Sequence, residues 1–199
     1  MRRRLRTLAA DARGATIIEF AMVVPVMLLL IMGLGDIAYQ AYLQAVLTGA
    51  VQKAGRDGTI QNNASANAGT TLDQRVMSQV VGVARTATGT SSRKSFGQFG
   101  YIAAEPFQDN NNNGVYDAAT ECFTDVNGNG TRDLDPGIAG QGGANDVVVY
   151  TMTVQFSRLF PLAKMIGWPQ RATISATTIL KNQPYATQAG PTAQLVCPK

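Results

Sequence analysis

Two short strings hold the densest set of oxygen ligands in the chain. Asp109 to Asp117 reads DNNNNGVYD and Asp125 to Asp133 reads DVNGNGTRD, and both fit D-x-N-x-N-G-x-x-D. In a calcium loop, side-chain oxygens come from positions one, three, five and nine. Position seven gives a backbone carbonyl, and a Gly at six makes the sharp turn. The first string offers Asp109, Asn111, Asn113, the Val115 carbonyl and Asp117. The second offers Asp125, Asn127, Asn129, the Thr131 carbonyl and Asp133. The bidentate acid expected at position twelve is displaced. Thr120 and Pro136 stand there, with Glu121 one residue late and Asp135 one residue early. Two of the three early ligands in each loop are neutral Asn, so the expected calcium affinity is weak, on the order of 0.1–1 mM. The alternative is a pair of Asx-turn loops that need no ion.

The loops belong to an internal repeat of period 16 within residues 105–137. Glu105-Pro106-Phe107-Gln108-Asp109 is echoed by Glu121-Cys122-Phe123-Thr124-Asp125. The strings resemble the short calcium loops of dockerins and thrombospondin type 3 repeats. Cys122 and Cys197 are the only thiols. In an oxidising compartment a bridge between them would tie the C-terminal tail to the repeat; the other reading is two unpaired thiols.

Other chemistry is scarce. The chain has no His, which removes Ser-His-Asp and Cys-His catalysis and His-ligated zinc. Two Cys cannot build a four-thiolate site. No nucleophile–base pair stands out. The expectation is therefore a protein that is not an enzyme, with no organic cofactor and no small-molecule substrate. Hydrophobic residues make up 45% of the 199 residues, enough for a packed core.

The elements that must carry the loops begin with a charged arm. The net charge is +4, from 17 Lys+Arg against 13 Asp+Glu. Residues 1–14 hold Arg2, Arg3, Arg4, Arg6 and Arg13 against Asp11, which already gives the whole +4. The remaining residues balance at 12 basic and 12 acidic groups. A nucleic-acid binder spreads its basic groups over a folded surface, so no nucleic-acid partner is expected. A basic arm beside an apolar run is what the positive-inside rule expects of a cytoplasmic flank.

That run is Ala15 to Gly35, ATIIEFAMVVPVMLLLIMGLG. As a helix it spans roughly 31 Å, close to the bilayer's hydrocarbon thickness of about 30 Å. Pro25 is tolerable in a membrane helix, with a kink. Glu19 is the one charge within it, near the cytoplasmic end, where a tolerated interfacial carboxylate is the plain reading. A cleaved secretory signal is disfavoured. No Ala-x-Ala follows the run until Ala64-Ser65-Ala66.

Arg13-Gly14-Ala15-Thr16-Ile17-Ile18-Glu19-Phe20 resembles the processing site of type IV-like prepilins. A basic leader ends in Gly14, and Glu19 is the fifth residue after it. The wider string RGATIIEFAMVVPVMLLL is similar to the opening of TadE-like pseudopilins of the tight-adherence (Flp) pilus machinery. Mature major pilins of that machinery carry Tyr after the Glu, where this chain has Phe20; the departure fits the pseudopilin branch. The resemblance implies cleavage between Gly14 and Ala15 by a prepilin peptidase. It implies pairing of the new Ala15 amine with Glu19, one turn away. It also implies a single-pass protein of the bacterial inner membrane, with other pilin-like subunits as partners and its distal domain in the periplasm.

Beyond the run the pattern stays helical. Asp36, Gln40, Gln44, Thr48, Gln52 and Arg56 form a polar stripe, opposite Leu43, Val46, Leu47, Ala50 and Ala54. The expected organisation is a leader at 1–14, a membrane helix at 15–35 and an amphipathic extension at 36–56. A linker at 57–71 follows, then a domain at 72–183 and an irregular tail at 184–199. Within the domain, helical spacing runs from Leu72 to Ala87. Strands are expected at Lys94–Ala104, Asp146–Phe156 and Arg171–Lys181, with a short helix at Leu159–Ile166. The strands VVVYTMTVQF and ATISATTILKNQPY also resemble the distal part of longer TadE-like proteins. The fold class is α+β: a long N-terminal helix, a second helix and a small antiparallel sheet. The rival to a processed minor pilin is an unprocessed, signal-anchored periplasmic protein that binds calcium or another ligand.

Overall fold

A computed structural model describes residues 15–58, 66–160, 164, 167–183 and 192–198. The leader, including Gly14, lies outside them. Helix α1 runs over Ala15–Gly58, 44 residues with Pro25 inside, which corresponds to roughly 66 Å of continuous helix. It is long and apolar enough to cross a membrane by length and composition. Helix α2 covers Ala66–Val83. It starts inside the stretch 57–71 expected to be a linker, because Ala66 to Thr71 are small residues that a helix accepts once the apolar stripe behind them docks. It ends before Ala87: Ala84 donates its N–H to the Val80 carbonyl, and the chain then turns.

The strands are β1 (Thr88–Phe96), β2 (Phe123–Asp125), β3 (Ile138–Ala139), β4 (Val147–Ser157), β5 (Arg171–Lys181) and β6 (Gln194–Val196). They form a four-stranded sheet in the order β3-β1-β4-β5 and a two-stranded sheet, β2-β6. The architecture is α+β, as the residue patterns imply. β1 differs from the expected Lys94–Ala104 strand. It lies earlier, pairs antiparallel with β4 from Thr88↔Gln155 to Phe96↔Val147, and gives way to a 3-10 turn at Phe99–Tyr101. TGTSSRK has no apolar alternation to announce a strand; its pairing is templated by β4, which does alternate. The tail is not wholly irregular, since β6 pairs with β2 in the register Phe123↔Val196. The short helix expected at Leu159–Ile166 falls largely outside the described residues, and Leu159 and Phe160 themselves form a bend.

Contacts divide the chain into two units, residues 1–42 with 157–172, and residues 43–156 with 173–199. In the larger unit, Leu43, Leu47, Ala50, Val51 and Ala54 of α1 are buried. So are Leu72, Val76 and Val80 of α2, and Val148, Tyr150, Met152, Val154 and Phe156 of β4. The distal part of α1 is thus a core element of this unit rather than a stalk. Gly55 permits a close approach there: a Cβ would lie 2.3 Å from Leu180 Cδ1 and 2.7 Å from Thr178 Cγ2, so those side chains would have to shift. The polar stripe also takes part in packing, since Gln44 donates its Nε2–H to the Ser175 carbonyl at 2.8 Å.

A polar cluster sits at the junction of α2, β1 and β4. Arg93 donates to Asp73 Oδ2 at 3.1 Å and to the Gly69 carbonyl at 3.1 Å. The Tyr150 hydroxyl donates to Asp73 Oδ1 at 2.7 Å, and Ser91 donates to Asp73 Oδ2 at 2.6 Å. Burial pushes the Asp73 carboxyl up, but the hydrogen bonds from Arg93, Ser91 and Tyr150 outweigh it and hold its pKa below the ordinary value. Burial, reinforced by the Asp73 charge, raises the Tyr150 phenol. No local pattern marks this cluster, in which the Asp73–Tyr150 contact alone spans 77 residues.

Candidate functional site

Two regions carry the residues singled out in the sequence: the start of α1 and the tandem loops. At the start of α1, Ala15 opens the helix, and Glu19 and Phe20 lie exposed one turn on. The apolar side chains that follow, Met22, Val23, Val26, Met27, Leu28, Leu29, Leu30 and Ile31 among them, are exposed as well. An exposed apolar surface of this length fits membrane anchoring.

The tandem loops adopt one conformation twice. Position six is Gly114 in the first loop and Gly130 in the second, with φ of 73° and 77°. Position four is also left-handed, as Asn112 at 58° and Gly128 at 78°. Asn and Gly are the residues that tolerate this region. Asp109 accepts the N–H of Asn113 at 3.1 Å and of Gly114 at 2.7 Å. Asp125 accepts the N–H of Gly128 at 2.6 Å and of Gly130 at 2.7 Å. Asn111 and Asn127 each accept the N–H two residues on, at 3.0 and 3.1 Å. Asn113 and Asn129 do the same for Val115 and Thr131, both at 2.7 Å. In the second loop the side chains at positions three, five and nine converge: Asn127 and Asn129 both donate to Asp133 Oδ2, at 2.8 and 2.6 Å.

Glu121 is not placed as a bidentate ligand. It is fully buried, and its two oxygens accept the N–H of Asn110 at 3.0 Å and of Asp117 at 2.9 Å, positions two and nine of the first loop. Asp135 is drawn away from the second loop into an ion pair with Lys94, whose hydrogen bond lowers the Asp135 pKa. The acid displaced by one residue therefore serves the backbone in one loop and a strand in the other. What remains for a cation is the oxygens of positions one, three, five and nine with the carbonyls of Val115 and Thr131, a hard, all-oxygen set of the kind calcium takes. Among the described residues no three Asp, Glu, Cys or His side chains gather into one cluster, so any ion held here relies on Asn oxygens beside two carboxylates per loop.

Glu105 did not stand among the candidate ligands. It is 1% exposed, and it accepts the N–H of Val126 at 2.8 Å and of Asp133 at 2.9 Å, positions two and nine of the second loop. The signal that could have found it is the period-16 echo between Glu105 and Glu121. The two loops meet through an antiparallel bridge between Phe107 and Phe123. The Tyr116 ring stands edge-on to both, with centroids 5.7 Å apart in each pair, and Arg132 lies 4.6 Å over Phe107. A disulfide joins Cys122 to Cys197, the next pair in the β2-β6 register, with Cα atoms 4.2 Å apart.

A family model described as TadE-like protein matches residues 14–56. Those residues start at the Gly proposed for cleavage and run to within two residues of the end of α1. No curated protein matches, and no solved structure matches.

Proposed function

From the TadE-like match over residues 14–56, we propose that this chain is a non-catalytic minor pilin or pseudopilin of a tight-adherence (Flp) pilus. The observation that carries the reading is the coincidence of that match with one uninterrupted helix whose first half is exposed and apolar. The chain inserts into the inner membrane with its Arg-rich leader in the cytoplasm and its distal unit in the periplasm. A prepilin peptidase removes residues 1–14. The exposed half of α1 then packs against other pilin-like subunits. The new ammonium of Ala15 lies one helical turn from the Glu19 carboxylate, and in a low-dielectric bundle each charge needs the other. The test is mass spectrometry of the membrane-extracted chain. It begins at Ala15 if the reading holds, and Gly14→Arg blocks that cut. A chain that retains residues 1–14 overturns it in favour of an unprocessed, signal-anchored periplasmic protein.

The tandem loops support a second, compatible reading. They form weak calcium sites, Asp109–Asp117 and Asp125–Asp133, that order the periplasmic unit. The observation favouring it is the convergence of Asn127, Asn129 and Asp133 in a loop already folded around Asp125. Calcium titration by calorimetry tests it, and heats indistinguishable from dilution up to ~10 mM, well above the range expected of extracellular sites, would rule it out.

A further inference from the structure

Asp36 is the first charged residue of α1 after Glu19, and it stands where the apolar run ends. Counted from Ala15, it lies roughly 32 Å along the helix, about one hydrocarbon thickness. Its carboxylate accepts two hydrogen bonds from the segment that connects β4 to β5. Arg158 donates to Oδ2 at 2.6 Å, and the Leu159 N–H donates to Oδ1 at 3.2 Å. The ion pair is largely shielded, with side-chain exposures of 17% and 15%. Arg158 also donates to the Pro169 carbonyl at 3.2 Å, and its guanidinium lies 5.7 Å from the Trp168 ring centroid. Phe160 lies against Gly35, where a Cβ would approach its ring to 3.1 Å. The connection is thus fastened at two adjacent residues of the helix.

Two of the side chains it presents are apolar and uncovered. Leu159 is 53% exposed and Trp168, the only Trp in the chain, is 59% exposed. Tyr39 and Tyr42 follow on α1 within two turns of Asp36, and Tyr42 is exposed. Trp and Tyr concentrate where a membrane meets water, because their rings are apolar at one end and hydrogen-bonding at the other. Here they collect at the level where the apolar helix ends.

Building on the membrane-anchoring reading above, we propose that Leu159 and Trp168, on a segment fastened to Asp36 and Gly35 through Arg158 and Phe160, form a second contact with the lipid bilayer at the outer interface. A single apolar helix leaves its own rotation about the bilayer normal unconstrained. A second insertion point beside Asp36 fixes that rotation before assembly. The Asp36–Arg158 pair suits that depth, since lower polarity strengthens the attraction while its hydrogen bonds satisfy both groups.

Because Trp168 is the only Trp, its fluorescence reads this contact directly. The full chain is reconstituted in phosphatidylcholine–phosphatidylglycerol vesicles, and carbonate-resistant flotation reports the anchoring of α1 separately. The expected result is blue-shifted Trp168 emission, quenched by lipids brominated near the headgroup and shielded from aqueous iodide. Asp36→Asn, which removes the charge that holds Arg158, should reduce the bromolipid quenching while flotation is kept. If the chain floats but iodide reaches Trp168 and bromolipid does not, the proposal fails. Shielding that grows with the number of chains per vesicle, without bromolipid quenching, assigns the surface to a second subunit and also overturns it. Loss of flotation overturns the anchoring reading and this proposal together.

Discussion

Glu105 and Glu121 make the same three hydrogen bonds on different loops. Glu121 donates its N–H to the Asp117 carbonyl at 2.9 Å and accepts the N–H groups of Asn110 and Asp117. Glu105 donates its N–H to the Asp133 carbonyl at 2.9 Å and accepts the N–H groups of Val126 and Asp133. Glu121 therefore closes the loop that immediately precedes it. The residue one period later is Gly137, which has no side chain to do this for the second loop. Glu105, 28 residues before Asp133, takes that place and closes the tandem on itself.

Glu105→Gln should loosen the second loop and Glu121→Gln the first. An amide can accept from one backbone N–H but turns its own N–H toward the other, leaving a buried donor unsatisfied. The cost is about 1–3 kcal/mol for each change, read from denaturant midpoints. Amide exchange locates it: Val126 and Asp133 should exchange faster in the first variant, Asn110 and Asp117 in the second. Acceleration of the neighbouring loop instead would contradict the exchanged pairing.

Calcium should raise the melting temperature of the full chain in detergent. At tenfold saturation over the dissociation constant, mass action adds about 1.4 kcal/mol per site. Magnesium should do much less, because it holds its waters and demands tighter octahedral geometry. Asp109→Ala with Asp125→Ala should abolish the response. A fragment starting at residue 57 is unsuitable for this test, since Leu43, Leu47 and Val51 belong to the core.

Acid should weaken the α2–β1–β4 junction through Asp73. Its folded pKa is lowered, so the stability it contributes is present above the unfolded value, about 3.9, and is lost as pH falls through the lower folded one. Tyr150 has the opposite sign. Its folded pKa is raised, so its contribution is present below about pH 10 and is lost as pH rises further. Denaturant midpoints for wild type and Asp73→Asn, taken from pH 2 to 7, should show a flatter acid limb in the variant. Parallel limbs would mean that other carboxylates set the acid response.

Glu19→Ala should leave leader removal largely intact and impair incorporation into a filament. The ammonium at Ala15 would lose its partner in an apolar bundle, where breaking a buried pair costs on the order of 3–5 kcal/mol. The measurement is the ratio of processed chain in the membrane to chain in sheared filaments. An unchanged ratio would show that the carboxylate is merely tolerated.

The long helix, its membrane-length apolar run, strands β4 and β5 and the two loop conformations were legible in the residues. Each rests on a local rule: a 3.6-residue or two-residue apolar period, or Gly and Asn where φ must be positive. β1 lies ahead of the expected Lys94–Ala104 strand because TGTSSRK has no pattern of its own and takes its pairing from β4. β6 carries no local signal because a three-residue strand exists only through β2 and the adjacent disulfide. Spacing shows how far Glu121 stands from the first loop, not that its oxygens face the N–H groups of Asn110 and Asp117. Tertiary structure alone decided that Glu105 reaches the second loop, that Asp135 turns to Lys94, and that Asp36 holds Arg158 across 122 residues of chain. Those contacts join residues distant in sequence, and their partners are chosen by the packing that folding brings together.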